Sequence, residues 1–186
     1  MEAFWKNKIS VFFCLKGGWI FMEMVFYPND LLRVKTKQID NIDNKIRDYA
    51  KKMIELMDIS GGVGLAAPQV GLDLSLFVVR ENRMARPLVF INPSITETSY
   101  ELNSYKEGCL SIPGVYYNLM RPNGIVVKFY DENGKSFTIE NSDFLARIIQ
   151  HEMDHLNGIL FIDYYEERIK NKLLKPYMRE RGFKTK

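Results

Sequence analysis

The chain contains two histidines, His151 and His155, and they stand four residues apart. A helix turns about 100° per residue, so this spacing sets both imidazoles about 40° apart on one face, within reach of a single cation. Glu152 projects nearby, placed to touch a water on that cation without ligating it. His151-Glu152-Met153-Asp154-His155 is thus an HExxH pattern: two ligands and a general base on one helix. Asp154 falls on the other side of His151, which suits a supporting role. A catalytic metal site calls for a third protein ligand and an open position. With no third histidine, the candidates are an acidic residue or Cys109. Read alone, Cys109 is a small buried apolar side chain. Beside HExxH, and near Gly108, Pro113 and Gly114, it reads as an accessible thiolate on non-regular backbone. Gln69 draws notice only because it closes the Gly- and Ala-rich stretch 61–71.

These residues need elements to hold them. Residues 142–157 read as the helix carrying HExxH, with Ser142 as N-cap, Leu145, Ile148, Ile149 and Met153 on its buried side, and Asn157-Gly158 as its stop. Residues 40–59 read as an earlier amphipathic helix, capped by Asp40 or Asn41, with Ile42, Ile46, Tyr49, Met53 and Leu56 on one stripe. Strand-like runs cover 74–80, 87–92, 94–102, 125–131 and 136–140. The last two flank Asn133-Gly134, a hairpin signal. Residues 159–162 read as a short strand, and 164–180 as a basic amphipathic helix containing Pro176. Strands grouped apart from helices predict an α+β fold rather than a parallel βαβ sheet.

Composition narrows the class. The 186 residues are 46% apolar and 26% charged, enough for one domain with its own core and inconsistent with a disordered or low-complexity chain. No apolar run approaches the ~18 residues of a membrane span. Two distant cysteines, Cys14 and Cys109, argue against a disulfide scaffold and for a reducing compartment. Residues 166–186 hold eight basic and three acidic side chains, a net +5 against a total of +3, so the tail is basic and the body nearly neutral. Such a tail is a solvated helix face or a contact for an acidic partner. Residues 1–24 differ from the rest: Lys16 interrupts their apolar run and no small-residue cleavage site follows, so they read as an extension rather than a signal peptide.

Three segments together resemble one family. Glu107-Gly108-Cys109-Leu110-Ser111 is similar to the EGCLS motif of peptide deformylases, residues 62–69 to their GxGxAAxQ motif, and residues 150–158 to their QHExDHLxG motif, all in the family's order. The resemblance runs from Val25, where Tyr27–Arg33 is similar to the family's opening, to Tyr165. It implies a domain at 25–165, flanked by the extension 1–24 and a basic helical tail at 166–186 of the bacterial type. The fold implied is α+β, with antiparallel or mixed sheets around a central HExxH helix and helices near both ends.

By the same resemblance, Cys109, His151 and His155 hold one divalent metal, typically Fe2+ in the cell, with Zn2+, Ni2+ or Co2+ as substitutes. The activity implied is hydrolysis of the formyl group from the N-terminal formylmethionine of new chains, releasing formate. Glu152 is the expected base, and the Gln69 amide and the Leu110 backbone N–H the expected donors to the oxyanion. The substrate backbone would lie antiparallel against Val63 and Gly108, with Gly64 allowing close approach. Its methionine would enter a pocket of Val63, Phe144, Ile148 and His151, with Tyr116 and Arg147 near the rim. Arg121 is expected to pair with Glu107. The implied setting is a bacterial-type cytoplasm or an organelle matrix, with N-formylmethionyl nascent peptides as substrates, a ribosome contact through the tail, and neither DNA nor membrane as partner. Two other readings compete: an HExxH endopeptidase with an acidic third ligand, which leaves Cys109 unexplained, and a metal-stabilised binding module, which would normally close its site with a fourth protein ligand.

Overall fold

A computed structural model describes residues 10–15, 18–82 and 84–183. Residues 1–9, 16 and 17 of the expected extension, and the tail lysines Lys184 and Lys186, lie outside the described residues. The strands are β1 (Ser10–Leu15), β2 (Gly18–Glu23), β3 (Gly64–Ala66), β4 (Leu76–Val79), β5 (Leu88–Thr98), β6 (Leu102–Cys109), β7 (Ile112–Pro122), β8 (Ile125–Tyr130) and β9 (Ser136–Asn141). The helices are α1 (Asn44–Ile59), α2 (Phe144–Leu156) and α3 (Glu167–Glu180), with short 3-10 turns at Asp30–Arg33, Ala67–Val70 and Phe161–Tyr164. The class is α+β, as expected.

A five-stranded sheet in the order β3-β4-β5-β8-β9, antiparallel at each pairing, forms the centre. Strand side chains alternate between faces. Leu65, Leu76, Val78, Val89 and Ile91 meet the apolar stripe of α1 on one face. Ala66, Phe77, Val79 and Phe90 meet Ala146, Ile148 and Ile149 of α2 on the other. Cover on both faces explains why β4 reads Leu-Phe-Val-Val without alternation. The β6–β7 hairpin packs through Ile112, Val115 and Leu119 against Phe161, Ile162, Leu174 and Tyr177, which ties α3 to the body. Helix α2 therefore sits between the large sheet and this hairpin, buried nearly all round.

Several local expectations are corrected. Helix α1 begins at Asn44, because Asp43 is extended and its carboxylate accepts the Ile46 N–H at 3.0 Å. The N-cap of α2 is Asp143 instead of Ser142, and it is the Asn141 Oδ1 that accepts the N–H groups of Asp143 and Ala146. Residues 87–102 contain one long strand, not two, with irregular register around Asn92 and Thr96. The stretch around Cys109, read as irregular, is the tip of the β6–β7 hairpin. Residues 159–162 do not form a strand; the chain tightens instead into a turn in which Asp163 accepts the Leu160 N–H. The Asn133-Gly134 hairpin is present, with Gly134 at φ 79°. Met22 and Met24, counted with the extension, bury their side chains in the α1 core.

Candidate active site

Cys109 ends β6 at the hairpin tip, and His151 and His155 occupy successive turns of α2. Their ligand atoms lie within 4.8 Å of one another. Cys109 Sγ is 3.2 Å from His155 Nε2. His151 Nδ1 stands 3.0 Å from Glu107 Oε2, which fixes a tautomer with Nε2 free to face the cluster. Burial drives the His155 pKa well below its ordinary value, aided by the charge of His151, so its imidazole is neutral, the form a cation needs. For His151 burial acts in the same direction, but hydrogen bonds with Cys109 and Glu107 raise it.

Glu107 organises this side of the site. It accepts Arg121 Nε at 2.7 Å and Nη2 at 3.0 Å, and Arg147 Nη1 at 2.9 Å. Burial opposes ionisation, yet His151 and Arg121 hold its carboxyl at about 2. Arg147 is expected at the rim but is 5% exposed, its guanidinium spent on Glu107, Asn103 and the Leu119 carbonyl.

Glu152 is buried, and its Oε2 has no hydrogen-bond partner among the described residues. Desolvation pushes its carboxyl up to about 7. The carboxylate occupies the space that a side chain on Gly64 would need: a Cβ there would lie 2.2 Å from Oε1. Gln69 is held by its own turn. Its Oε1 accepts the Ala66 N–H at 2.8 Å, which turns Nε2 toward Cys109 Sγ at 3.4 Å and Ser111 Oγ at 3.2 Å.

These groups form the floor of a cleft of about 350 Å³. Val63 and Gly64 line one wall, at the outer edge of the large sheet; Gly108, Leu110 and Tyr116 line the other, with Phe144, Arg147 and Ile148 between them. His155 lies behind the floor, 1% exposed. Tyr116 stands at the mouth, 58% exposed. Sequence reasoning missed Tyr105, which lines the cleft with its ring tilted against Phe144 at 5.2 Å between centroids, and Ser111, which steadies Gln69. Tyr105 gave no apolar alternation to find it by; Ser111 was visible only as a motif letter.

A thiolate and an imidazole at the floor of a cleft, a second imidazole just behind them, and a carboxylate oxygen without a partner among the described residues match a metallohydrolase site. The family model for polypeptide deformylase matches residues 21–171. The chain belongs to this family. Relatives include the peptide deformylase of Borreliella burgdorferi, 88% identical over 165 residues, covering 89% of this chain and 100% of that protein. That of Treponema pallidum is 43% identical over 161 residues, covering 87% and 98%. Among solved structures, the deformylase from Synechococcus elongatus in complex with actinonin superposes with TM-score 0.80 at 41% identity, covering 88% of this chain and 89% of that one. The Ehrlichia chaffeensis deformylase superposes with TM-score 0.80 at 32% identity, covering 85% and 95%.

As a deformylase, this protein is a hydrolase that removes the formyl group from nascent proteins, and its Cys/His cluster together with its family implies a divalent metal. No helix among the described residues is long and apolar enough to cross a membrane.

Proposed function

We propose that Cys109, His151 and His155 hold one divalent ion, Fe2+ in the cell with Zn2+, Ni2+ or Co2+ as substitutes, and that Glu152 is the general base of deformylation. The observation that carries this reading is the buried Glu152 Oε2, unpartnered among the described residues, beside the three convergent donors. A thiolate and two imidazoles suit borderline-soft cations, and a set of protein donors this small leaves a position open for chemistry. When bound, the ion supplies a Lewis acid that polarises the formyl carbonyl and makes water a stronger acid.

The chain's own groups account for the remaining steps. Val63 leads into β3, the edge strand of the large sheet among the described residues, and the peptide adds there as an antiparallel strand, with Gly108 opposite. The methionine side chain enters the apolar part of the cleft at Val63, Phe144 and Ile148, and Tyr116 and Arg147 bound that pocket. Glu152 accepts a proton as the water oxygen bonds to the formyl carbon. Gln69 Nε2–H and the Leu110 N–H donate to the formyl oxygen as it gains charge; one such donor is worth about 10²–10³ in rate. Glu152 then returns the proton to the amine nitrogen as the C–N bond breaks, and formate leaves. Glu152→Gln keeps shape and reach but removes the proton acceptor. With metal content and fold unchanged, kcat for formate release from formyl-Met-Ala-Ser should fall by ~10²–10⁴. A folded, metal-replete Glu152→Gln protein with near-normal turnover would reject this assignment.

The protein's expected place is a bacterial-type cytoplasm, where its substrates are made. Arg168, Lys172, Lys175 and Arg179 form an exposed stripe on α3, opposite the buried Leu174 and Tyr177. This stripe supports a contact with ribosomal RNA, consistent with a cotranslational substrate.

A further inference from the structure

The groups behind His151 form a closed circuit. His151 on α2 meets Glu107 on β6; Glu107 is gripped by Arg121 on β7; and Arg121 Nη1 donates to Asp154 Oδ2 at 2.7 Å, back on α2. The circuit spans the two elements that carry the metal ligands, β6 with Cys109 and α2 with both histidines. Tyr164 closes it from outside. Its hydroxyl donates to Asp154 Oδ1 at 2.9 Å and accepts from Arg121 Nη1 at 3.4 Å, while its ring covers the guanidinium with the centroid 5.0 Å from Cζ. Tyr164 is half-exposed and does not line the cleft.

We infer that Tyr164 and Asp154 are positioning residues for His151, and through it for the placement of α2 against the strand bearing Cys109. The argument rests on the planarity of guanidinium. A bidentate grip on Glu107 requires the fork to lie in the plane of the carboxylate. Arg147 also reaches Glu107, at Oε1; among the described residues Arg121 alone holds both oxygens. The fork's orientation is fixed by its remaining nitrogen, Nη1, and the partners of Nη1 in this circuit are Asp154 and Tyr164. If that anchor is lost, Arg121 can turn, Glu107 follows, and His151 Nδ1 loses the acceptor that keeps Nε2 directed at the cluster. The Tyr164 ring adds a second restraint, since it covers the ion pairs and keeps their dielectric low.

This inference rests on the ligand assignment proposed above, and the experiment separates the two. The full-length protein is stripped and reloaded with Co2+ as wild type, Tyr164→Phe, Tyr164→Ala and Asp154→Asn. Release of Co2+ to a competing chelator and the cobalt–thiolate absorption band are measured with kcat and KM. Release should quicken by about tenfold in Tyr164→Ala and Asp154→Asn, the lower end for groups that support a ligand from behind. Tyr164→Phe, which keeps the ring over Arg121, should fall between these and wild type. The band should shift and KM should stay unchanged, because neither residue borders the cleft. Release rates and bands equal to wild type in Tyr164→Ala and Asp154→Asn would overturn the inference, whatever happens to thermal stability. Should Asp154→Asn fail to fold, the two substitutions at half-exposed Tyr164 decide the matter. A wild-type protein lacking the cobalt–thiolate band would defeat the ligand assignment itself, and this inference with it.

Discussion

Gly64→Ala adds a single methyl group, and its consequence can be traced atom by atom. The Gly64 backbone is not in the left-handed region, so alanine is tolerated by the main chain. The new Cβ would lie 2.2 Å from Glu152 Oε1, 2.8 Å from its Cδ and 2.9 Å from Ile148 Cγ2. Cβ atoms essentially never approach another heavy atom within 3.0 Å, so Oε1 must retreat by at least 0.8 Å. Displacement of a reacting group by about 1 Å costs about 10² in rate. Overpacking of this kind destabilises by ~1–3 kcal/mol, or roughly 2–12 °C in Tm for a chain of this size. None of the three proposed ligands is among the three atoms nearest the added methyl. We therefore expect metal content near wild type, a modest fall in Tm, and kcat for formyl-Met-Ala-Ser reduced by about 10². Gly124→Ala serves as the control, since its nearest neighbour would be Ser142 Cβ at 3.5 Å. If Gly64→Ala turned over within twofold of wild type at full metal occupancy, the placement of Glu152 would not limit the rate, and its role as base would be in doubt.

Charge reversal of Arg168, Lys172, Lys175 and Arg179 should abolish salt-sensitive co-sedimentation with ribosomes while leaving turnover of formyl-Met-Ala-Ser intact; undiminished co-sedimentation rules out the contact. Deleting the whole tail is the poorer test, because Leu174 and Tyr177 belong to the core. A chain beginning at Met22 should fold and turn over normally, whereas one beginning at Met24 loses the buried Met22 side chain and should unfold several degrees lower in a thermal scan. Asp163 accepts from Arg33, Leu160 N–H and Lys170; although burial opposes ionisation, these partners hold its carboxyl below the ordinary range. Its stabilisation is therefore present above the unfolded value of ~3.9 and is lost as pH falls through the lower folded value. Asp163→Asn should lower Tm by about 2–4 °C at pH 7, for a loss of ~1 kcal/mol, with the gap closing in acid. A gap that persisted at low pH would show that charge is not its cause.

What the sequence disclosed depended on whether burial and apolarity coincided. Helix α1 shows a clear stripe because one face meets the core and the other meets water. The β6–β7 hairpin gave no comparable signal. Its inward positions include Glu107 and Arg121, buried because they satisfy each other, while Tyr116 and Met120 face outward. Hydrophobic periodicity is silent where ion pairs take the place of apolar packing. Helix α2 was legible as a helix, yet its burial on nearly every side was not, since Arg147, Gln150, His151 and Glu152 are polar and add nothing to its apolar stripe. Strand β5 was divided in two because Pro93 interrupts the strand pattern, and the fold accommodates it with irregular pairing to β8. The motif letters name Gln69, Cys109 and the HExxH residues as one set, and these side chains lie together; the Arg121–Glu107 pair is expected by resemblance, but its continuation to Asp154 and Tyr164 emerges only from the packing of the hairpin on α2.

Residues 25–27 and helix α3, far apart in sequence, meet behind the turn of Gln69 and the hairpin tip. Val25 N–H donates to the Gln69 carbonyl at 2.7 Å, Tyr27 N–H to the Ser111 carbonyl at 3.0 Å, and the Tyr177 hydroxyl to the Tyr27 carbonyl at 2.7 Å. The turn holding Gln69 and the hairpin tip holding Cys109 are thus laced together by a segment near the start of the domain, which is itself fastened by a residue 150 positions later. Contacts so remote in sequence form late, because the loop they close is long. During its own synthesis, this enzyme therefore cannot finish bracing its catalytic floor until α3 has left the ribosomal tunnel.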